Sequence, residues 1–431
     1  MNAKKFNSIL LNFALLSIDC IILFISYLIA IDENILMYLI IIWNLVLLLP
    51  ILINSKSSLS MIAFISLFMT WYSTSAFIAS SFGFKYFDIP QQIIFEVTHK
   101  SLLTLIVCHF VLILCKVIFK FPSLDWIEKN FIGIIQGLSK NRIKFMVAIL
   151  FALSIYFWYR IIFIIGITSL LENPRIYAAV LFEQVGFYHQ IVMVPITFIL
   201  IVYMINTEGV YKLKGWILIS GMLVWLPMIL VGARKELYIC VIVIFLFGGI
   251  TRIKKGILGI FIAVMFLIIP LFREGWVGFD NIILSFQEFI LPQYSHFIFE
   301  MLGDIQKNAI VEVSGYRTGF WSLFPGILRP YEYVPLGLSL FNLRLTNVGI
   351  AAHPIGEAVL NYGEFGYVLF GLIFVGVTLI AFISSKRSII VSVILFAYLS
   401  LLGRSDIWIT IFFCLYTCIF TSLFFIRFRK K

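Results

Sequence analysis

One histidine and a neighbouring acid are the residues of this sequence best suited to catalysis. His353 begins the stretch HPIGEAVLNYGEFG, and Glu357 follows four residues later, on the same face if the stretch is helical. A histidine near its neutral pKa can accept a proton from a hydroxyl group or donate a hydrogen bond. His353 and Glu357 are therefore candidate catalytic residues, and a helix-capping histidine is the alternative. Asn361, at the start of an apolar segment, is a candidate for substrate binding.

Cationic side chains in short turns between apolar segments form a second group of candidates. Arg317 lies between two glycines in SGYRTGF, while Arg234 and Lys235 lie in GARKE. Arg404 lies in GRSDI. A planar guanidinium binds phosphate oxygens through two parallel hydrogen bonds, so these residues are candidates to bind phosphate, and Arg317 is also a candidate catalytic residue. The alternatives are side chains that snorkel to lipid headgroups, a plain loop arginine and a local ion pair.

Aromatic side chains lie close to Arg317 in the sequence. Tyr316 precedes it directly, and Trp321 follows four residues later. Aromatic rings bury a large apolar surface when they pack against a ligand. Tyr316 and Trp321 are therefore candidates for substrate binding.

Helices that cross a membrane must position these candidates. Of the 431 residues, 62% are hydrophobic and 12% are charged, whereas soluble domains carry about 25% charged residues. A helix needs about 20 apolar residues to cross the hydrocarbon core. The sequence therefore predicts an all-α polytopic bundle of about 12 spans, in a single membrane domain over 1–431. The predicted spans are 8–30, 35–54, 59–81, 98–119, 143–168, 189–206, 215–232, 236–251, 256–272, 363–383, 388–403 and 407–426.

The charges between these spans predict the orientation of the chain. With the N-terminus in the cytoplasm, the cytoplasmic segments hold about 20 of the 32 Lys and Arg residues but about three of the 21 acids. Cytoplasmic loops of membrane proteins are enriched in Lys and Arg. Both termini are therefore expected in the cytoplasm. These short basic clusters account for the net charge of +11, so nucleic acid is not an expected partner.

One connection is much longer than the others. Residues 273–362, between the ninth and tenth predicted spans, are expected to form a large loop on the outer face. Within it, 280–307 are expected to form an amphipathic helix interrupted at Pro292, and 313–347 are rich in Gly, Pro and aromatic residues. Non-helical backbone at membrane depth must be buried in protein or line a cavity. The loop is therefore expected to pack on the outer end of the bundle.

Several common kinds of site are not supported by the sequence. No D-x-D pair lies in a predicted outer loop, which argues against a metal-dependent sugar-transfer site of that type. The fingerprints of the P-loop and of the dinucleotide-binding fold are also absent. The six cysteines all lie in apolar segments, so a zinc site is not expected. We expect neither a metal nor a cofactor.

Three motifs in predicted outer segments carry a resemblance to a known family. They are G-x-R-K from Gly232 to Lys235, H-P-x-x-E-x-x-x-N-x-G-x-x-G from His353 to Gly366, and R-x-D from Arg404 to Asp406. With the layout of many spans and one large outer loop late in the sequence, the chain resembles the bacterial oligosaccharide repeat-unit polymerases of the Wzy type. These proteins polymerise O-antigen or capsule units.

The resemblance implies a metal-independent glycosyltransferase of the membrane-embedded GT-C type in the bacterial cytoplasmic (inner) membrane. Its substrates would be undecaprenyl-pyrophosphate-linked oligosaccharides in the outer leaflet, and undecaprenyl pyrophosphate would leave when an acceptor hydroxyl attacks the donor sugar. Fixed arginines would stabilise the charge on the departing pyrophosphate, and His353 would orient or deprotonate the acceptor hydroxyl. Membrane lipid, a chain-length regulator and a flippase are the further partners that it implies.

Two other functions stay open. An O-antigen ligase shares the layout of the polymerases, and the sequence separates the two poorly. A lipid-linked oligosaccharide flippase or other transporter also has about a dozen spans. The lack of an internal repeat and the concentration of unusual residues in outer loops argue against a transporter.

Overall fold

The structure of the protein is a computed structural model. It describes residues 3–28, 31–84, 87–172, 188–208, 211–230, 235–250, 287–324, 352–400, 402–404 and 406–425, with a few single positions between 328 and 340. In these residues every regular element is a helix. The all-α class predicted from the sequence is therefore confirmed for the described residues.

The helices follow one another with short connections. The first six are α1 (Ala3–Leu28), α2 (Glu33–Ile53), α3 (Ser58–Ser81), α4 (Gln91–Phe119), α5 (Leu124–Gln136) and α6 (Lys140–Tyr159). A π-helical segment, Arg160–Ile165, continues α6 and precedes α7 (Ile167–Glu172). Next come α8 (Tyr188–Asn206), α9 (Tyr211–Leu230), α10 (Lys235–Phe247), α11 (Gln287–Met301), α12 (Asp304–Ser314) and α13 (Tyr316–Trp321). The last are α14 (Pro354–Tyr362), α15 (Phe365–Ser384), α16 (Ile389–Leu399), a 3₁₀ turn (Leu402–Arg404) and α17 (Ile407–Phe425).

Six of the described helices are long and apolar enough to cross a membrane, namely α2, α3, α4, α6 with its π segment, α15 and α17. The surface of α2 shows why these helices need lipid around them. Tyr38, Leu45 and Leu52 are 66%, 61% and 78% exposed along one face, while Trp43 and Leu47 on the other face are fully buried. A continuous exposed apolar face requires an apolar solvent, which a bilayer supplies.

The predicted spans agree well in position with the observed helices. Eleven of the twelve predicted segments overlap a helix, and the ninth, 256–272, lies outside the described residues. Four further apolar stretches, in α1, α8, α10 and α16, are shorter than the six long helices. The chain is thus a multi-pass helical membrane protein, and the number of 12 crossings stays a prediction.

The chain divides into two compact units. The first consists of Met1–Leu124, Glu288–Lys386 and Tyr398–Phe412. In this unit α3 is the most deeply buried of the long helices, and it packs against both α2 and α4. Trp43 of α2 donates its indole N–H to Thr70 Oγ1 of α3 at 3.1 Å. A small polar contact of this kind fixes the register of two otherwise apolar helices.

The second unit consists of Asp125–Gln287, Arg387–Ala397 and Phe413–Lys431. Here α6 packs against α9, and α8 packs against α10. A cavity of about 770 Å³ lies among α8, α9 and α10, with apolar side chains such as Leu200 and Met222 in its wall. The hydroxyl oxygen of Thr197 accepts a hydrogen bond from the Trp225 indole N–H at 3.1 Å. The wall of this cavity is therefore suited to an apolar ligand.

The described part of the long loop is largely helical. The prediction that its amphipathic helix is interrupted at Pro292 is wrong, because α11 continues from Gln287 to Met301 and the break lies at Gly303. Pro292 lies in the second turn of α11, where its nitrogen has no hydrogen to donate to the preceding turn. The Ser295 hydroxyl donates to the Pro292 carbonyl at 2.6 Å.

Candidate functional site

A group of fully buried polar side chains lies in the first unit, where several helix ends meet. We call it the buried polar cluster. Its members come from α3, α11, α14 and the turn before α17, and each is at most 3% exposed: Ser73, His296, His353, Glu357 and Asp406. Buried polar groups are costly unless they bond to one another. Their collection at one place therefore marks the strongest candidate site among the described residues.

His353 is held by contacts on both sides of its backbone. It is the N-cap residue of α14, with Pro354 at the first helical position, where a proline suits the start of a helix. Its backbone N–H donates to Ser295 Oγ at 2.8 Å, and its Nε2 lies 3.0 Å from Ser73 Oγ. Burial lowers the pKa of His353 to about 3, so the imidazole is neutral at physiological pH. With no exposed surface, the ring is out of reach of an acceptor hydroxyl in this conformation.

His296 lies directly against His353, and the sequence did not single it out. The two rings are stacked, with centroids 5.7 Å apart and an interplanar angle of 12°. On its other side His296 Nε2 is 3.4 Å from the Tyr367 hydroxyl. The pKa of His296 is lowered well below its usual value, by burial first and then by His353. The two residues are 57 positions apart, so no local spacing connects them.

Glu357 and Asp406 form a pair of buried carboxyl groups. Glu357 Oε2 accepts the backbone N–H of Ile407, the first residue of α17, at 2.7 Å. Asp406 Oδ2 accepts the backbone N–H of Leu336 at 2.7 Å. Burial, and then the charge of Asp406, raise the pKa of Glu357 well above its usual value, although the Ile407 N–H opposes this. Two adjacent carboxylates in a dry site do not both ionise, so Glu357 holds a proton.

Asn361 connects this pair to α13. Its side-chain oxygen accepts the backbone N–H of Tyr316 at 3.0 Å, and its Nδ2 donates to the Glu357 carbonyl at 2.8 Å. The Tyr316 ring lies edge-on against Trp408 and Tyr362, at centroid distances of 5.6 and 5.4 Å. Burial raises the pKa of the Tyr316 hydroxyl, so it stays protonated. The α13 helix is thus fixed beside α14 and the start of α17.

Arg317 is the residue next to Tyr316 on α13, and its side chain is exposed. Gly319, one half-turn later, lies close to Trp408, since a Cβ atom there would be 2.2 Å from Trp408 Cδ1. Trp321 is half-buried and packs against Phe320 and Phe324, at centroid distances of 5.8 and 5.5 Å. The buried side of α13 therefore faces the first unit, while Arg317 lies at its surface.

The other predicted cations lie where the structure gives no side-chain position. Arg234 lies outside the described residues. Lys235 begins α10 in the second unit, and Arg404 ends the 3₁₀ turn in the first unit, but their side chains are not described. The prediction that these three residues bind phosphate therefore stays a prediction. Of the predicted site residues, His353, Glu357, Tyr316 and Asn361 come together.

Gln293 of α11 is a further residue that the sequence did not reveal. It is 1% exposed, and its Oε1 accepts the backbone N–H of Ala76 at 2.8 Å. Its Nε2 donates to Thr98 Oγ1 at 2.8 Å and to the Ser73 carbonyl. Every hydrogen-bonding atom of the amide thus has a partner, and α11 is attached to α3 beside the buried polar cluster. Within the described ranges, no three side chains suited to a metal come together.

No protein-family profile, curated protein or solved structure matches this chain. The helices and their exposed apolar faces define the class of the protein as a multi-pass helical membrane protein.

Proposed function

We propose that the protein is a metal-independent glycosyltransferase that polymerises undecaprenyl-pyrophosphate-linked oligosaccharide units at the outer face of the bacterial cytoplasmic membrane. A hydroxyl group of the acceptor unit attacks the anomeric carbon of the donor. The bond from that carbon to the pyrophosphate oxygen breaks, undecaprenyl pyrophosphate leaves, and the hydroxyl proton passes to water. The chemistry needs a fixed cation for the leaving group and a positioned acceptor.

The observation that carries the proposal is the meeting, in one unit, of the His353 and R-x-D motifs with the segment that holds Arg317. Glu357 of the His353 segment bonds to Ile407, directly after the R-x-D turn, and Asn361 bonds to Tyr316 in the Arg317 segment. These segments are far apart in the sequence. Their convergence on the buried polar cluster supports a shared role, with the cluster acting as the rigid base that positions α13 and its exposed Arg317.

Charge considerations assign Arg317 the most direct role. The departing pyrophosphate gains negative charge, and a positioned guanidinium that binds its oxygens stabilises that charge. His353 and Glu357 are fully buried, so in our proposal they position the site, and the acceptor hydroxyl is bound at the surface near α13. Trp321, half-buried one turn after Arg317 in the same helix, offers a ring for the glycan, whereas Tyr316 is buried against Trp408 and Tyr362 and positions α13.

The lipid part of the substrate needs an apolar surface. The exposed apolar face of α2, in the same unit as Arg317, is a surface of this kind. The proposal therefore assigns the polyprenyl chain to apolar, lipid-facing surface of the first unit.

The orientation of the chain is part of the proposal. The bond from Ser73 near the end of α3 to His353, and that from Glu357 to the start of α17, bring these helix ends together. Lys100 in the first third of α4 pairs with Glu364, just before α15, at 2.5 Å. The alternation predicted from the charges assigns all of these ends to the outer face, which supports an outer site and cytoplasmic termini.

The test is a reconstitution with purified protein and an extracted lipid-linked repeat unit. We expect polymer to form in detergent, without a membrane potential. Arg317→Ala should slow polymer formation by about 10²-fold or more, and Arg317→Lys should retain part of the rate, because it keeps the charge and loses the planar fork. Lys307→Ala, on the neighbouring α12, is the matched control and should keep the wild-type rate.

Each alternative function has its own outcome in this assay. A ligase would join the glycan to a different acceptor and give no ladder from the repeat unit alone. A flippase would give no polymer but would move the lipid-linked unit across liposomes. If the wild type forms polymer and Arg317→Ala forms it at the same rate, the proposed polymerase function is retained and the role assigned to Arg317 is refuted.

A further inference from the structure

A second pair of buried ionisable side chains lies in the first unit, apart from the buried polar cluster. His109 Nδ1 of α4 lies 3.0 Å from Asp19 Oδ2 of α1, and both side chains are 0% exposed. The ring of Trp43 covers the histidine edge-on, with ring centroids 5.1 Å apart. Nothing in the proposed transfer of sugars uses this pair.

The pair lies deep in the membrane. His109 is ten residues from Phe119, the last residue of α4, which corresponds to about 15 Å at 1.5 Å per residue. That is half of a hydrocarbon core about 30 Å thick. An acid and a histidine at such a depth are expensive, and ionisable residues there commonly serve ions or protons.

A second polar contact lies two helical turns away, toward the end of α4. Lys116 Nζ donates to Asn12 Oδ1 at 2.6 Å. Asn12 and Asp19 are seven residues apart along α1, and His109 and Lys116 are seven residues apart along α4, so the two contacts lie on one face of each helix. From the Asn12–Lys116 contact to the Asp19–His109 contact, residue numbers rise along α1 and fall along α4, so the two helices are antiparallel. The polar positions thus extend from the helix end to mid-membrane.

The surroundings of the pair carry little other charge. Neither α3 nor α15, which pack against α4, contains an acid, a base or a histidine, and their titratable residues are Tyr72 and Tyr367. The acid of α2 is Glu33, at its first position, with Tyr38 as its tyrosine. The other titratable residues of α4 are Glu96, His99, Lys100, Cys108, Cys115 and Lys116, and those of α1 are Lys4, Lys5, Cys20 and Tyr27. Among the titratable side chains of these described helices, His109 is the one that the structure places in contact with Asp19.

Two atoms of the pair have no hydrogen-bond partner among the residues that the structure describes. They are Asp19 Oδ1 and His109 Nε2, one on each side of the contact. A pair kept only to hold two helices together would be expected to have its polar atoms satisfied, because an unpaired buried atom costs about 1–3 kcal/mol. These two atoms are instead free to bind a proton or a water molecule.

We propose that Asp19 and His109 form an intramembrane proton-binding site that exchanges with water at the end of α4 that carries Lys116. In the binding step one proton from water joins the pair, and in the release step the same proton returns to water. No other bond changes. The protein would thereby respond to the proton concentration on that side of the membrane, which the charge pattern assigns to the cytoplasm. This site does not depend on the proposed glycosyl transfer.

Infrared difference spectroscopy of the purified full-length protein tests the proposal, because a protonated buried carboxyl group has its own C=O stretching band. We expect a band that appears as pH falls and that is missing in Asp19→Asn. His109→Asn should move its midpoint upward by about one pH unit or more, because the Asp19 carboxylate loses the hydrogen-bonded contact with the imidazole that stabilises it. Asp125→Asn, which removes an acid paired with Lys129 at the surface, is the control and should keep the band.

The outcomes separate a proton site from a structural contact. Protonated Glu357 also contributes to this spectral region, so only the difference between wild type and Asp19→Asn is assigned to the pair. A pH-dependent difference that His109→Asn displaces supports the site. Identical spectra for wild type and Asp19→Asn at every pH, or a band that His109→Asn leaves in place, would overturn it. Thermal unfolding of each variant confirms that the compared proteins are folded.

Discussion

Replacing Gly356 with alanine tests whether the close approach of α14 to α11 holds the two histidines in place. A Cβ atom at Gly356 would lie 2.8 Å from His296 Cβ, 2.9 Å from His296 Cα and 3.0 Å from His296 Cγ. Ordinary contacts of this kind are 3.4–4 Å. Two of the three atoms lie at or next to the backbone of α11, so a change of side-chain rotamer cannot relieve the contact.

The size of the effect follows from these distances. To restore ordinary contacts, α14 must move away from α11 by about 0.5–1 Å, and overpacking of this size costs about 1–3 kcal/mol. Alanine is the better helix former by about 0.5–1 kcal/mol, which offsets only part of that cost. The same movement takes His353 away from its hydrogen-bond partners Ser73 and Ser295. We expect a lower melting temperature and polymer formation reduced by about tenfold or more.

The assay compares Gly356→Ala with Gly376→Ala. Gly376 lies within α15, and no atom lies within 4 Å of a Cβ built there, so Gly376→Ala should keep or slightly raise the melting temperature in detergent. Both variants are also run in the polymer assay. Equal melting temperatures for the two variants would show that α14 has room to move, and the argument from close packing would be refuted.

Two further predictions concern the same unit. Because the folded protein raises the pKa of Glu357, its contribution to stability is complete at low pH and is lost as pH rises through the raised value. The melting temperature of wild type should therefore fall over that range, and Glu357→Gln should remove this part of the fall; an unchanged pH profile in the variant would contradict a protonated Glu357. Gln293→Leu leaves its three partners without their bonds and should lower the free energy of unfolding by about 2–4 kcal/mol. Gln136→Leu, at an exposed bond to the Asn206 carbonyl, should cost far less, and equal losses would refute the role given to Gln293.

The spans could be predicted from the sequence because each depends on a continuous run of apolar residues. The predicted span 59–81 needs no partner to be recognised, and its helix begins one residue before the predicted start, at Ser58, directly after the Ser57 cap. The amphipathic α5 was not predicted, since its 13 residues are too few to cross a membrane. Pattern alone therefore finds long apolar helices and misses short ones that lie between them.

The candidate site was predictable only in part, because its contacts join distant segments. His353, Glu357 and Asn361 share one stretch and were found through their spacing. His296 was missed, since its partner His353 lies outside its own helix and 57 positions away in the sequence. Asp19 and His109 are 90 positions apart in the sequence, and only the fold brings them together.

The attachment of α11 to α3 has a consequence for how the sequence can vary. Gln293 bonds to the N–H of Ala76 and the carbonyl of Ser73, which are main-chain groups that every residue other than proline supplies. A change of side chain at position 76 therefore leaves this bond available, as long as the new residue fits the space. The attachment of α11 to α3 therefore depends mainly on the side chain at position 293. In a set of divergent sequences, we expect the residue at position 76 to vary while Gln293 is retained, and we expect Ser73 to be retained because its hydroxyl group bonds to His353.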